Sequence, residues 1–183
     1  MLTRNYDSLT VGYLTVFPSG TLTEADWLGG MPGVIKNHDG EIKSINEMQR
    51  ASCSIFGNLN NADYFSQLTS SNNTPFLLVG SNNAAETYED YKLQIVGDLT
   101  AVGYRSASIT YSVDGCKYTT VKSFINNTGN DITVNELGLY QFNNSASHIL
   151  LYRKKLANPV TLKAKGGTAT FSLVIDIPYA NKP

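Results

Sequence analysis

Carboxylates form the densest cluster of reactive side chains in the chain. Glu86, Glu89 and Asp90 fall within ETYEDY, and Glu136 stands alone in ITVNELGLYQF. Two carboxyls opposed across a cleft can hydrolyse a glycosidic bond, one as acid and the other as base or nucleophile. Three on one short segment lie side by side, so ETYEDY is expected to be a solvated face, with a weak calcium site as a distant second reading. A hydrolase built on Glu86 and Glu136 is kept only as a third functional reading. The two histidines, His38 in KNHDGE and His148 after NNSAS, lie near no cysteine and no second histidine. That excludes a zinc-ligand spacing, and both are expected to be structural. Cys53 and Cys116 are far apart, form no CxxC pair and are expected to be free thiols. No serine sits in a G-x-S-x-G elbow, and LVGSNN lacks the lysine and glycine spacing of a phosphate loop. The sequence therefore names no catalytic, cofactor-binding or metal-ligating residue, and predicts a protein that is not an enzyme.

Eleven tyrosines and the single Trp27 raise a different chemistry. Exposed rings stack on the C–H face of a pyranose, yet tyrosine also suits half-buried strand positions through its apolar ring and polar tip. Carbohydrate binding, or binding of a host-surface glycan receptor, is the alternative function.

With 183 residues and a net charge of −1, the chain is sized for one domain and carries no basic field. A domain of this length buries roughly 70% of its unfolded surface and needs no staples. The charge argues against nucleic acid or an anionic membrane as partner. The one basic cluster, Arg153-Lys154-Lys155, reads as a solvated strand end. No apolar run is long enough to span a bilayer, and MLTRNYDSLTVGYLTVF lacks the layout of a signal peptide, so a soluble, cytoplasm-made chain is expected.

The elements that must position these residues are mostly strands. From about Leu93 onward apolar and polar residues alternate with period two, as in YRSASITYSV, CKYTTVKSFI, ITVNELGLYQF, HILLYRKKL, PVTLKA and TATFSLVIDI. Asp114-Gly115, NNTGND, NNSAS and Lys165-Gly166-Gly167 punctuate them, the first and last as hairpins. Asparagine occurs 18 times, often paired, which suits loop tips because its amide caps turns. The sequons at Asn72, Asn126 and Asn143 are read as a by-product of that bias. Residues 1–92 are mixed. A short helix capped at Thr23 and stopped by Gly29-Gly30, a helical stretch through Ile42, Ile45 and Met48 or Gln49 that turns strand-like at Cys53 to Phe56, another helix at NADYFSQLTSS, and strands at LTVGYLTVF and TPFLLVG are expected. The fold class is mainly β: a single domain, 1–183, forming an antiparallel β-sandwich of jelly-roll or immunoglobulin-like type. Residues 93–183 supply the sandwich part, and a few short helices lie in the N-terminal half.

Two segments resemble bacteriophage virion proteins. In LLVGSNNAAETYEDYKL, Leu77 to Leu93, a strand ends in Val-Gly, a polar loop follows and Asp90-Tyr91-x-Leu93 restarts the chain, although GSNN stands where Gly-Thr-Gly is expected. The second runs from KSFINNTGNDITVNELGLY through LLYRKKLANPVTLKAKGGTATFSLVIDIP. It carries Asn135-Glu136-x-Gly138-Leu139, a leucine-rich strand with Arg153, Pro-Val-Thr-Leu, a glycine turn and a threonine-rich last strand. The resemblance implies a structural component of the virion, as capsid decoration, head fibre or tail-associated protein. It also implies assembly in many copies with major capsid, portal or tail proteins.

Overall fold

A computed structural model describes residues 1–3, 21–31, 34–44, 76–143 and 147–178. They comprise helix α1 (Glu24–Leu28) and strands β1 (Val34–Lys36), β2 (Ile42–Ser44), β3 (Phe76–Gly80), β4 (Leu99–Tyr111), β5 (Gly115–Asn126), β6 (Ile132–Asn143), β7 (Ser147–Leu162) and β8 (Gly167–Pro178). The protein is mainly β, with antiparallel pairing throughout the registered strands. β1 and β2 form a small hairpin, and two three-stranded sheets have the orders β3-β6-β7 and β4-β5-β8.

The chain divides into two compact units that interleave along the sequence. The first draws on Met1–Gly57, Ser71–Val96 and Val134–Pro159, the second on Asn58–Ser70, Gly97–Thr133 and Val160–Pro183.

In the first unit β6 is the middle strand, and residues 136–140 are buried on both faces. Register places Gly80 beside Glu136 and Leu78 beside Gly138, so one face of the sheet carries a glutamate between two glycines. Leu78, Leu93, Tyr140 and Leu150 form the apolar cluster on that face. Both outer strands of the sheet are covered. Ile95 bridges Gly80, with Val96 N–H donating to Val79 O at 3.1 Å. On the other side Leu2 bridges Tyr152, and Thr3 N–H donates to Leu151 O at 3.0 Å. α1 forms where expected: the Asp26 carboxylate accepts from Thr23 N–H and Oγ1–H, both at 2.7 Å, and Gly30 ends the turn at φ 71°.

In the second unit β5 lies between β4 and β8. Tyr118, Thr120, Lys122, Phe124 and Asn126 of β5 are buried with Phe171, Leu173 and Ile175 of β8. Thr168, Thr170, Ser172, Val174 and Asp176 of β8 face outward. From Thr168 to Asp176 the β8 alternation read from TATFSLVIDI is thus present. The β4–β5 hairpin turns at Val113-Asp114, one residue before the expected Asp114-Gly115, with Ser112 N–H donating to Gly115 O at 2.9 Å. The pairing of β4 slips between Val102 and Ser106, where Gly103 admits a bulge.

Several expectations are corrected. HILLYRKKL and PVTLKA are one strand, β7, because its Pro159 lies in an outer strand where a missing N–H is tolerated. Lys165-Gly166-Gly167 is not a hairpin. β7 pairs with β6 and β8 with β5, so the turn carries the chain from one sheet to the other, with positive φ at Lys165 (58°) and Gly166 (113°). Ile42–Ser44 is strand β2, not the start of a helix, since register with β1 overrides a short ambiguous spacing. The expected strand LTVGYLTVF, the helix NADYFSQLTSS, Cys53, Met48 and Asn72 lie outside the described residues.

Candidate functional site

The charged residues singled out from the sequence converge in the first unit, around Arg153. Its Nε donates to Glu136 Oε2 at 2.6 Å, and its Nη1 to Asp90 Oδ2 at 2.8 Å and Ala85 O at 3.0 Å. Nη2 donates to Ala84 O at 3.1 Å. The Glu136 Oε1 atom accepts from Gln94 N–H at 2.8 Å and Asn82 N–H at 3.3 Å. Glu136 is wholly buried and Arg153 nearly so. Burial opposes the Arg153 charge. The hydrogen bonds and Coulomb attraction of Asp90 and Glu136 together outweigh it and hold the guanidinium above its ordinary pKa.

This node clamps the loop between β3 and Ile95 onto the sheet. Asn135 Nδ2 adds a bond to Ser81 O at 2.6 Å, and Glu86 Oε1 accepts from Lys155 N–H at 2.7 Å. Two glycines make room. A Cβ on Gly80 would stand 2.2 Å from Glu136 Oε1, and one on Gly138 would stand 2.7 Å from Leu93 Cδ1. The expected solvated face is corrected: of Glu86, Glu89 and Asp90, only Glu89 is exposed. Arg153-Lys154-Lys155 is likewise no solvated strand end. It sits inside β7, with only Lys154 exposed. Counter-charges far away in sequence remove the cost of burying Arg153, and no local pattern announces them.

A second cluster joins residues expected to stand apart. The β1–β2 turn brings His38 to β7, where its N–H donates to His148 O at 2.8 Å. Although far apart in sequence, the two histidines are thus tied to each other through the backbone. His38 Nδ1 is 3.1 Å from the Tyr140 hydroxyl, which also accepts from Leu93 N–H at 2.7 Å. Burial drives the Tyr140 pKa above its ordinary value, so it stays a phenol. Among the described residues no group of three metal-ligating side chains assembles.

Burial lowers both imidazoles below their ordinary value of 6.5; Asp39 opposes this at each, while His148 and Lys92 lower His38 further. The unfolded chain therefore binds protons more readily at these sites. Their contribution to stability is complete above the ordinary imidazole value and is lost as pH falls below it toward the lowered folded values. Thermal melts are expected to show Tm falling between pH 7.5 and pH 5.5. The step should shrink in His38→Gln/His148→Gln, and an equal slope in that variant would place the proton uptake elsewhere.

The aromatic residues divide differently from a sugar platform. Trp27 is buried edge-on to Tyr91 at 6.2 Å, and Lys36 Nζ caps the two rings at 5.0 and 4.4 Å. Tyr118 and Tyr140 are core residues, while Tyr111 is 71% exposed at the β4–β5 hairpin. Cys116 is a free, half-exposed thiol beside the same hairpin.

Comparisons with protein-family models, with curated proteins and with solved structures find no match to this chain.

Proposed function

We propose that the protein is a non-enzymatic structural component of a bacteriophage virion, made in the host bacterial cytoplasm and assembling in many copies with capsid, portal or tail proteins. The observation that carries this reading is where the phage-like motifs meet. Asp90, Tyr91 and Leu93 close the first motif, and Asn135, Glu136, Gly138 and Arg153 belong to the second. In the fold these residues interlock: Asp90 and Glu136 on Arg153, Leu93 against Gly138, Asn135 on the loop that carries the first motif. The residues behind the resemblance thus act together as a brace. Their carboxylates and guanidinium are spent on holding a loop, which suits a rigid part whose loops and strand surfaces make the contacts.

One-sided burial in β5 and β8, and strand passages between sheets at 127–131 and 163–166, support an antiparallel sandwich of jelly-roll or immunoglobulin-like type. Glycan binding is the weaker alternative, because Trp27, Tyr118 and Tyr140 are buried and cannot form a stacking surface. Immunogold electron microscopy with an antibody to the recombinant chain, on intact particles of the source phage, tests the proposal. Label on heads or tails is expected. Absence of label, together with absence from blots of disrupted particles, overturns it.

A further inference from the structure

We propose that β8 is a self-pairing edge, through which two copies of this chain join across a two-fold axis into one continuous six-stranded sheet. The proposal deepens the assembly reading above by naming its contact.

Outer strands expose a row of unpaired N–H and C=O groups, and proteins commonly protect them with bulges, prolines, charges or covering segments. The outer strands here differ in that respect. In the first unit, β3 is covered by residues 94–96, and β7 by Met1–Thr3 and by the His38 N–H. In the second, β4 is interrupted by its bulge between Val102 and Ser106. β8 has none of these protections among the described residues. It pairs with β5 without a slip from Asn126↔Gly167 to Gly115↔Pro178. It contains no lysine or arginine, its only proline is its last residue, and its only charge is Asp176 near the end.

The β8 sequence is also complementary to itself. Antiparallel pairing about Ser172 sets Phe171 against Leu173 of the second copy, Ala169 against Ile175, Thr170 against Val174 and Thr168 against Asp176. Odd residues, which face the core, meet odd residues, and outward residues meet outward ones. The apolar faces of both copies therefore stay on the same side, and no like charges oppose each other. Shifting the register by one residue would set core-facing positions against outward ones. The two-fold also makes the contact close on itself, as an isologous interface requires.

The area limits the strength. Eleven paired residues at about 3.4 Å each give an edge about 37 Å long and about 10 Å deep. That buries roughly 700–800 Å² in total, below the ~1,200 Å² of stable complexes. The dimer is accordingly weak and concentration-dependent, and it gains strength when many copies are held on a common support.

Sedimentation velocity on the full chain from about 1 to 200 µM is expected to show a reversible monomer–dimer equilibrium. Thr170→Lys/Val174→Lys sets lysines opposite each other twice in the proposed register and should weaken association at least tenfold. Thr170→Glu/Val174→Lys sets opposite charges there and should restore it. Circular dichroism melts report that the variants are folded. Should either fail to fold, hydrogen exchange on the unaltered chain gives the same reading, because β8 amides should gain protection as concentration rises. A monomer at every concentration, a dimer insensitive to the lysine pair, or a loss that charge exchange does not reverse overturns the proposal. None of these outcomes depends on particle labelling, so the virion reading and this one fail separately.

Discussion

Arg153→Met is expected to lower the unfolding free energy by about 3–5 kcal/mol, the range for removing one partner of a buried ion pair. Methionine keeps much of the length and loses the charge and every donor. Glu136 would remain wholly buried with only the N–H groups of Gln94 and Asn82 on it, the Ala84 and Ala85 carbonyls would lose the guanidinium, and Asp90 would keep only its bonds from Thr87. The surroundings cannot relax around the orphaned carboxylate without loosening the loop, because Gly80 leaves it no further room. For a chain of this size the loss corresponds to a Tm drop on the order of 10 °C. Urea titration measures the free energy directly. Arg153→Met/Glu136→Gln should cost less than the sum of its single changes, because the second removes the stranded charge. A change below about 1 kcal/mol, as for exposed ion pairs, would contradict the brace.

What the sequence showed follows how far each signal reaches along the chain. Alternation in TATFSLVIDI, the turn near Asp114, the NNTGND break and the Thr23 cap are local, and each element stands within a residue or two of its expected place. Sheet membership is not local. A glycine turn such as Lys165-Gly166-Gly167 looks the same whether the next strand pairs with the last or leaves for another sheet. The brace was hidden for the same reason. Glu136 and Arg153 are separated by 17 residues, and Asp90 and Arg153 by 63, so their pairing depends on which strands are neighbours. The signal available was an arginine directly after HILLY, ahead of two lysines, and a lone glutamate inside ITVNELGLY, opposite charges in two apolar strands. The histidine pair depends on the β1–β2 turn reaching β7, and nothing near His38 or His148 in sequence encodes that contact.

Asn126→Ala is expected to cost about 2–3 kcal/mol, the largest effect predicted in the second unit. Asn126 is wholly buried at the end of β5, where the two passages between sheets come together. Its Nδ2 donates to Asn130 O at 2.7 Å and Leu162 O at 3.0 Å, and its Oδ1 accepts from Thr128 N–H at 3.0 Å and Thr128 Oγ1–H at 2.7 Å. The same two loops are tied by Lys165 N–H to Thr128 O at 2.9 Å and by Asp131, which accepts from Lys163 Nζ at 2.7 Å. Those outer bonds are open to water, and their loss is cheap. The bond to Leu162 O is buried, so a methyl group in its place strands that carbonyl. Asn126→Asp separates the two halves of the side chain. It keeps the acceptor toward Thr128 but turns the donor into a negative oxygen facing two carbonyls. At pH 7 it should therefore be less stable than Asn126→Ala. It should recover part of the difference near pH 4, where a protonated carboxyl can donate again. An Asn126→Asp variant as stable as the unaltered protein at pH 7 would show that the amide nitrogen does not hold this corner.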